Sequence, residues 1–136
     1  MRKNLKVGDM ASLSRVFTEE DVIQFANIST DTNPIHLDER FGAASVFGQR
    51  VVHGMLVASL FSALIGVKLP GEGSIYLGQN LSFKAAVPIG EQVTASVEIV
   101  KIREDKPIVT LRTLCVNKEE QVVVDGEAVV KATWTK

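Results

Sequence analysis

The sequence has little of what usually announces a function. It contains a single cysteine, Cys115. No disulfide can form within the chain, which favours a reducing compartment. Its two histidines, His36 and His53, stand 17 residues apart. With one cysteine they match no familiar zinc-ligand spacing, so no metal is expected. There is no excess of one charge: 15 Lys and Arg face 16 Asp and Glu, a net of −1. That balance gives no footprint for nucleic acid. The basic start "MRKNLKVGDM" lacks the apolar core of a signal peptide. The longest apolar stretch, residues 51–69, is interrupted by His53, Gly54, Ser59, Ser62 and Lys68. A core helix is expected there rather than a membrane span. Together these absences lead to a cytoplasmic protein with no membrane and no nucleic acid as partners.

What remains is enough for one ordinary domain. The chain has 136 residues, 46% of them hydrophobic. A chain of this length buries about two-thirds of its unfolded surface and needs no disulfide or metal to hold it. One domain over residues 1–136 is expected. Cys115, in the apolar run "VTLRTLCV", reads as a small core or interface residue. Trp134 and Tyr76 read as packing residues, and "REDKP" with Lys101 as a solvated turn.

Local signals outline the elements. Residues 9–17 alternate loosely, as a strand does. Thr18 and Asp21 form a capping-box pattern, with Glu19 and Glu20 at the positive end of the helix dipole. That helix ends near Ser29, since Asn33 precedes a proline. Residues 30–50 read as loop with one helical turn near "DERFGAA". A second helix, Gly54 to Ile65, is apolar or small nearly all round and belongs inside. Strands follow: "SIYLGQNLSFKA", "QVTASVEIVKI" with its phase disturbed near Val100, "IVTLRTLCV" and "VVVDGEAVVKATW". Short polar turns between them predict an antiparallel meander. Two helices cannot cover both faces of such a sheet. The fold class is α+β, an antiparallel sheet wrapped around the central apolar helix.

Chemistry gathers in two places. Asp31 and His36 flank Asn33-Pro34 in "STDTNPIHLDERF". Acid–base work needs two titratable groups near one water or one substrate proton. Spacing leaves two readings open: a pair brought together by the Asn-Pro turn, or a local cap plus a surface imidazole. The second place is His53-Gly54, at the start of the apolar helix. Free N–H groups there suit a developing oxyanion, and glycine allows close approach of a ligand. Gly54 reads equally as a packing glycine, and His53 as a cap or a hydrogen-bonded core residue. Ser62, two turns into the helix, faces a pocket or bonds back to its own turn. It lacks the Gly-x-Ser-x-Gly setting of a nucleophile.

The segments "FANISTDTNPIHLDERFGAA", "VVHGMLVASLFSALIG", "GSIYLGQNLSFKAAVPIGEQVTASVEI" and "GEAVVKA" resemble the MaoC-like, (R)-specific enoyl-CoA hydratases of the hydratase 2 type. The resemblance runs over roughly residues 5–133, and "D-x-N-P-I-H" is its specific part. It implies a hot-dog fold and a homodimer with joined sheets. It implies syn addition of water to a trans-2-enoyl-CoA, giving the (R)-3-hydroxyacyl-CoA. The short bacterial forms it most resembles supply polyhydroxyalkanoate synthesis. No cofactor is implied; coenzyme A arrives as part of the acyl-CoA thioester substrate. Asp31 and His36 would be the catalytic pair, and Asn33 the support of their loop. Gly54 would offer an N–H to the thioester carbonyl, Ser62 would lie beside the site, and Ile65 near the acyl pocket. Thr30 and Gly42 depart from the pattern, which usually has Gly and a small Ala or Ser there. A hot-dog thioesterase and a non-catalytic acyl-CoA-binding subunit are the rival readings.

Overall fold

The computed structural model describes residues 4–132. Trp134, and the end of the last expected strand, lie outside the described residues. The elements run β1 (Met10–Val16), α1 (Glu19–Ser29), α2 (Pro34–Leu37), α3 (Glu39–Ala44) and α4 (Gly54–Ala63), with a π-helical turn over Leu64–Lys68. Then come β2 (Ile75–Gln79), β3 (Ser82–Phe83), β4 (Gln92–Ile102), β5 (Ile108–Asn117) and β6 (Val122–Lys131). The strands form one antiparallel sheet ordered β1-β4-β5-β6-β2, with β3 also on β6. Among the described residues no helix is long and apolar enough to cross a membrane.

Alternation builds the sheet's inner face. Val93, Ala95, Val97 and Ile99 of β4, Val109, Leu111 and Cys115 of β5, and Ala128 and Val130 of β6 are all fully buried. They enclose Val57, Leu60, Phe61, Leu64 and Ile65 of the central helix in one apolar cluster. The disturbed phase at Val100 is a bulge: Ile99 pairs with Leu111 and Lys101 with Thr110. A second bulge lies between Cys115 and Val116. Such insertions bend and twist a strand, which lets the sheet curve around a helix. Burial raises the Cys115 thiol to about 12, so it stays protonated and behaves as a small core residue.

Three expectations need correcting. "SIYLGQNLSFKA" is not one strand but β2 and β3, broken at Asn80. There Asn80 N–H donates to the Glu127 carbonyl, and Asn80 Oδ1 accepts from Glu127 N–H. The close crossing uses Gly126, where a Cβ would collide with the Asn80 backbone. The segment 30–50 holds two short helices rather than one turn. Asn33 caps the first by accepting from Ile35 N–H, and Asp38 caps the second by accepting from Phe41 N–H. The central helix does not stop at Ile65. It widens into the π-turn, in which Leu69 N–H donates to the Leu64 carbonyl.

Helix α1 has a complete capping box at its start and a strained residue at its end. Thr18 Oγ1 accepts from Asp21 N–H, and Asp21 accepts from Thr18 N–H. That backbone bond holds the Asp21 carboxyl below its usual range. At the C-cap, Thr30 has φ +66°. Left-handed backbone costs an L-residue about 1–2 kcal/mol, and a β-branched one is an outlier there. The departure from glycine is therefore paid in stability next to Asp31. Thr30→Gly is expected to stabilise the fold by about 1 kcal/mol, read from urea unfolding. A loss of stability would mean that Thr30 makes a compensating contact.

Candidate active site

Five segments meet at the start of α4. They enclose a cavity of about 460 Å³ lined by Asp31, His36, His53, Gly54, Met55 and Phe83, with Lys84 and apolar residues of β6 completing the wall. Asp31 reaches it from the exposed turn after α1. Its Oδ1 accepts from Asn33 N–H, and Asn33 in turn caps α2. The Asn33-Pro34 pair thus turns the chain so that His36, one α2 turn later, faces the same space. Of the two open readings of this spacing, the fold realises the convergent one. An Asp31 carboxylate oxygen and one ring nitrogen each of His36 and His53 lie within 4.8 Å of one another. A single water can span such a distance, given hydrogen bonds of about 2.8 Å to either side.

His36 is held by its ring and by its backbone. Nδ1 lies 2.7 Å from the Val51 carbonyl. A carbonyl only accepts, so Nδ1 carries the hydrogen and neutral His36 presents Nε2 as a lone pair. Its own carbonyl accepts from Arg50 Nε at 2.9 Å, while Arg50 Nη1 pairs with Glu19 at 2.8 Å. Gly42 admits this arrangement, because a Cβ there would stand 2.6 Å from Arg50 N. The second departure from the family pattern is thus a packing adjustment behind His36. Arg50 gave no sign of this role in the sequence. It is a half-buried cation in a loop, and only the fold places it under His36.

Gly54 and Met55 open α4. His53 is the N-cap residue but makes no side-chain cap bond. The Gly54 and Met55 N–H groups have no acceptor among the described residues, and both residues line the cavity. Open donors at the positive end of a ten-residue helix suit a developing negative charge on oxygen. Phe83 of β3 packs over the glycine: a Cβ on Gly54 would lie 2.7 Å from its ring.

Ser62 and Ile65 are not brought to this cavity. Ser62 is exposed, eight residues and about 12 Å of helix beyond Gly54. Ile65 is 1% exposed, inside the core. Ile65, three residues on, belongs to the core cluster, while Ser62 does not. Ile65→Ala is accordingly expected to cost about 2–5 kcal/mol of stability, as a core truncation does. A chain-length shift without destabilisation would return Ile65 to the acyl pocket.

Both histidines and Asp31 could suggest a metal, against the sequence spacing. The rings argue otherwise. They are stacked, with centroids 3.8 Å apart and planes 26° from parallel. A metal about 2.0–2.1 Å from an imidazole nitrogen lies along its in-plane lone pair. Two nearly parallel rings do not aim their lone pairs at one point. His53 also uses Nε2 elsewhere, donating to the Asp31 carbonyl at 3.0 Å. Burial holds the His53 ring below its usual pKa, with the neighbouring His36 acting in the same direction.

An antiparallel sheet around one helix, with a carboxylate and an imidazole converging beside that helix's open N-terminus, defines a hot-dog protein. The chain belongs to the MaoC-like domain family, whose model matches residues 7–121. It is 54% identical over 129 residues to the (R)-specific enoyl-CoA hydratase of Aeromonas caviae, covering 95% of this chain and 96% of the relative. The structure of the (R)-hydratase from A. caviae involved in PHA biosynthesis superposes with a TM-score of 0.94 at 53% identity, covering 96% of this chain and 99% of that one. A mitochondrial 3-hydroxyacyl-[acyl-carrier-protein] dehydratase of Arabidopsis thaliana is 42% identical, over 91% of this chain and 75% of its own length.

Proposed function

We propose that this chain is an (R)-specific enoyl-CoA hydratase that adds water to trans-2-enoyl-CoA and forms (R)-3-hydroxyacyl-CoA. One observation carries the reading: Asp31 and His36 converge within one water's span beside the open N–H groups of α4. The thioester carbonyl sits at the Gly54 N–H. Polarisation there draws electron density from C3 and stabilises the enolate that forms when oxygen attacks. The water donates its hydrogens to the Asp31 carboxylate and to His36 Nε2. One of them takes a proton as the C3–O bond forms, and a proton from the same side goes to C2. The addition is therefore syn. The chemistry needs no metal or redox cofactor; coenzyme A enters as part of the substrate.

The assembly we propose is a homodimer. β2 is an edge strand, and Ile75, Leu77 and Phe83 on β2 and β3 are each 52% exposed. An apolar edge of this kind calls for a partner. A second copy pairing there would continue the sheet and bring its surface close to the cavity mouth at Phe83. We also place the protein in the cytoplasm, where its lone thiol stays reduced, with its product feeding polyhydroxyalkanoate synthesis. The A. caviae relatives support that last step.

A second reading changes the carrier and not the chemistry. The plant relative acts on acyl-carrier-protein thioesters by its name. Among the described residues Lys84 is the one Lys or Arg lining the cavity, and a cation there suits the phosphates of either carrier. Both carriers should be assayed with the same enoyl chain. Loss of enoyl absorbance with no release of free thiol is expected, with higher kcat/KM on the CoA thioester. Free thiol would establish a thioesterase. Binding of acyl-CoA without turnover would establish a non-catalytic subunit.

A further inference from the structure

We propose that His53 is a positioning residue that registers the acid–base pair against the oxyanion donors. The inference rests on the hydratase reading for its kinetics, but its structural half stands alone. His53 touches every part of the site through a different contact. Its ring stacks on His36, with centroids 3.8 Å apart. Its Nε2–H donates to the Asp31 carbonyl at 3.0 Å. Its backbone leads directly into Gly54, the first residue of α4. Phe25 of α1 meets the His53 ring edge-on, with centroids 4.8 Å apart.

A residue that merely filled the core would not be a histidine here. His53 is 1% exposed, and its Nδ1 has no hydrogen-bond partner among the described residues. With the hydrogen on Nε2, Nδ1 of the neutral ring is a buried, unpaired acceptor. Such a group is costly, and buried polar atoms are seldom left in that state. Phenylalanine has a similar shape, keeps the stack, and carries no orphan nitrogen. What it cannot supply is the N–H that holds the Asp31 carbonyl. The two rings also carry complementary tautomers. His36 donates from Nδ1 and offers Nε2; His53 donates from Nε2. The titratable or charged groups around His53 are Asp31, His36 and, across the cavity, Lys84. Burial disfavours charge on His53.

Two measurements test the proposal. The first needs no variant and no substrate. Nitrogen-15 NMR of the two imidazoles in the parent protein at neutral pH is expected to show His36 as the Nδ1–H tautomer and His53 as the Nε2–H tautomer. A His53 ring with its hydrogen on Nδ1 has no bond to Asp31 and overturns the proposal. The second is the kinetics of His53→Phe. A small misplacement of catalytic groups costs about 10²-fold in rate. The variant is expected to melt close to the parent, lose about 10- to 100-fold in kcat, and keep KM within about threefold. A folded His53→Phe with parental kcat overturns the proposal, and if the variant does not fold, the tautomer measurement decides. A parent that hydrates no enoyl thioester would refute the hydratase reading instead, and the NMR result would still stand.

Discussion

Asp31→Asn and His36→Gln are each expected to fold like the parent and to lose about 10²–10⁴-fold in kcat, the usual cost of removing an acid–base group. Both substitutions should be mild for the fold. Asp31 is exposed, and an Asn oxygen can still accept from Asn33 N–H, so the turn keeps its bond. His36 spends Nδ1 on the Val51 carbonyl, and a Gln amide can supply a donor in that direction. What each variant loses is a proton acceptor toward the shared water. Neither residue is expected to hold the acyl chain or the carrier, so KM should change little beside kcat. Melting temperature and single-turnover rates separate misfolding from lost chemistry. A folded variant that turns over within about tenfold of the parent would remove that residue from the mechanism.

Gly54→Val should be the other severe loss. The new Cβ would stand 2.7 Å and 2.8 Å from Phe83 ring atoms, so the ring has to move, and the methyl groups stand over the first N–H of α4. Losing one oxyanion donor costs about 2.7–4 kcal/mol, or about 10²–10³ in kcat. Packing is the confounder, and the structure identifies its source. Phe83 is half-exposed in the single chain, so Phe83→Ala should remove the collision at little cost to the chain's own core, and oligomer size is measured for both variants. The double variant Gly54→Val/Phe83→Ala is then expected to melt near Phe83→Ala alone and to remain as inactive as Gly54→Val. Recovery of the Phe83→Ala turnover by the double variant would mean that the donor at Gly54 is not used.

Much of the fold was legible because it is written in local patterns. The Thr18–Asp21 box, the alternation of Val93 to Ile99 and the slip at Val100 each follow from a few neighbouring residues. The break at Asn80 was not legible, because its cause is Gly126 on another strand. Nor was the π-turn, whose extra residue changes which side chains face the core. Ser62 and Ile65, which the resemblance put at the site, do not line this cavity. The site divided in the same way. Asp31, Asn33 and His36 share one short loop, and the stiffness of Asn-Pro hinted at their convergence. Arg50 and His53 act across 14 and 22 residues of chain, on His36 and Asp31. His53 did carry a signal, as one of two histidines placed directly before the glycine that opens the core helix. Spacing alone could not show that its ring would stack on the other histidine.

Syn hydration by Asp31 and His36 from one side of the enoyl thioester is tested most directly by running the reaction in deuterium oxide. Crotonyl-CoA is hydrated, and the configurations at C2 and C3 of the 3-hydroxybutyryl product are read together by NMR and chiral chromatography. The expected product is the (R)-3-hydroxy thioester with a single deuterium at C2, on the face that received the hydroxyl. An (S) alcohol, or deuterium on the opposite face, would contradict the placement of the acid–base pair and the carbonyl around α4.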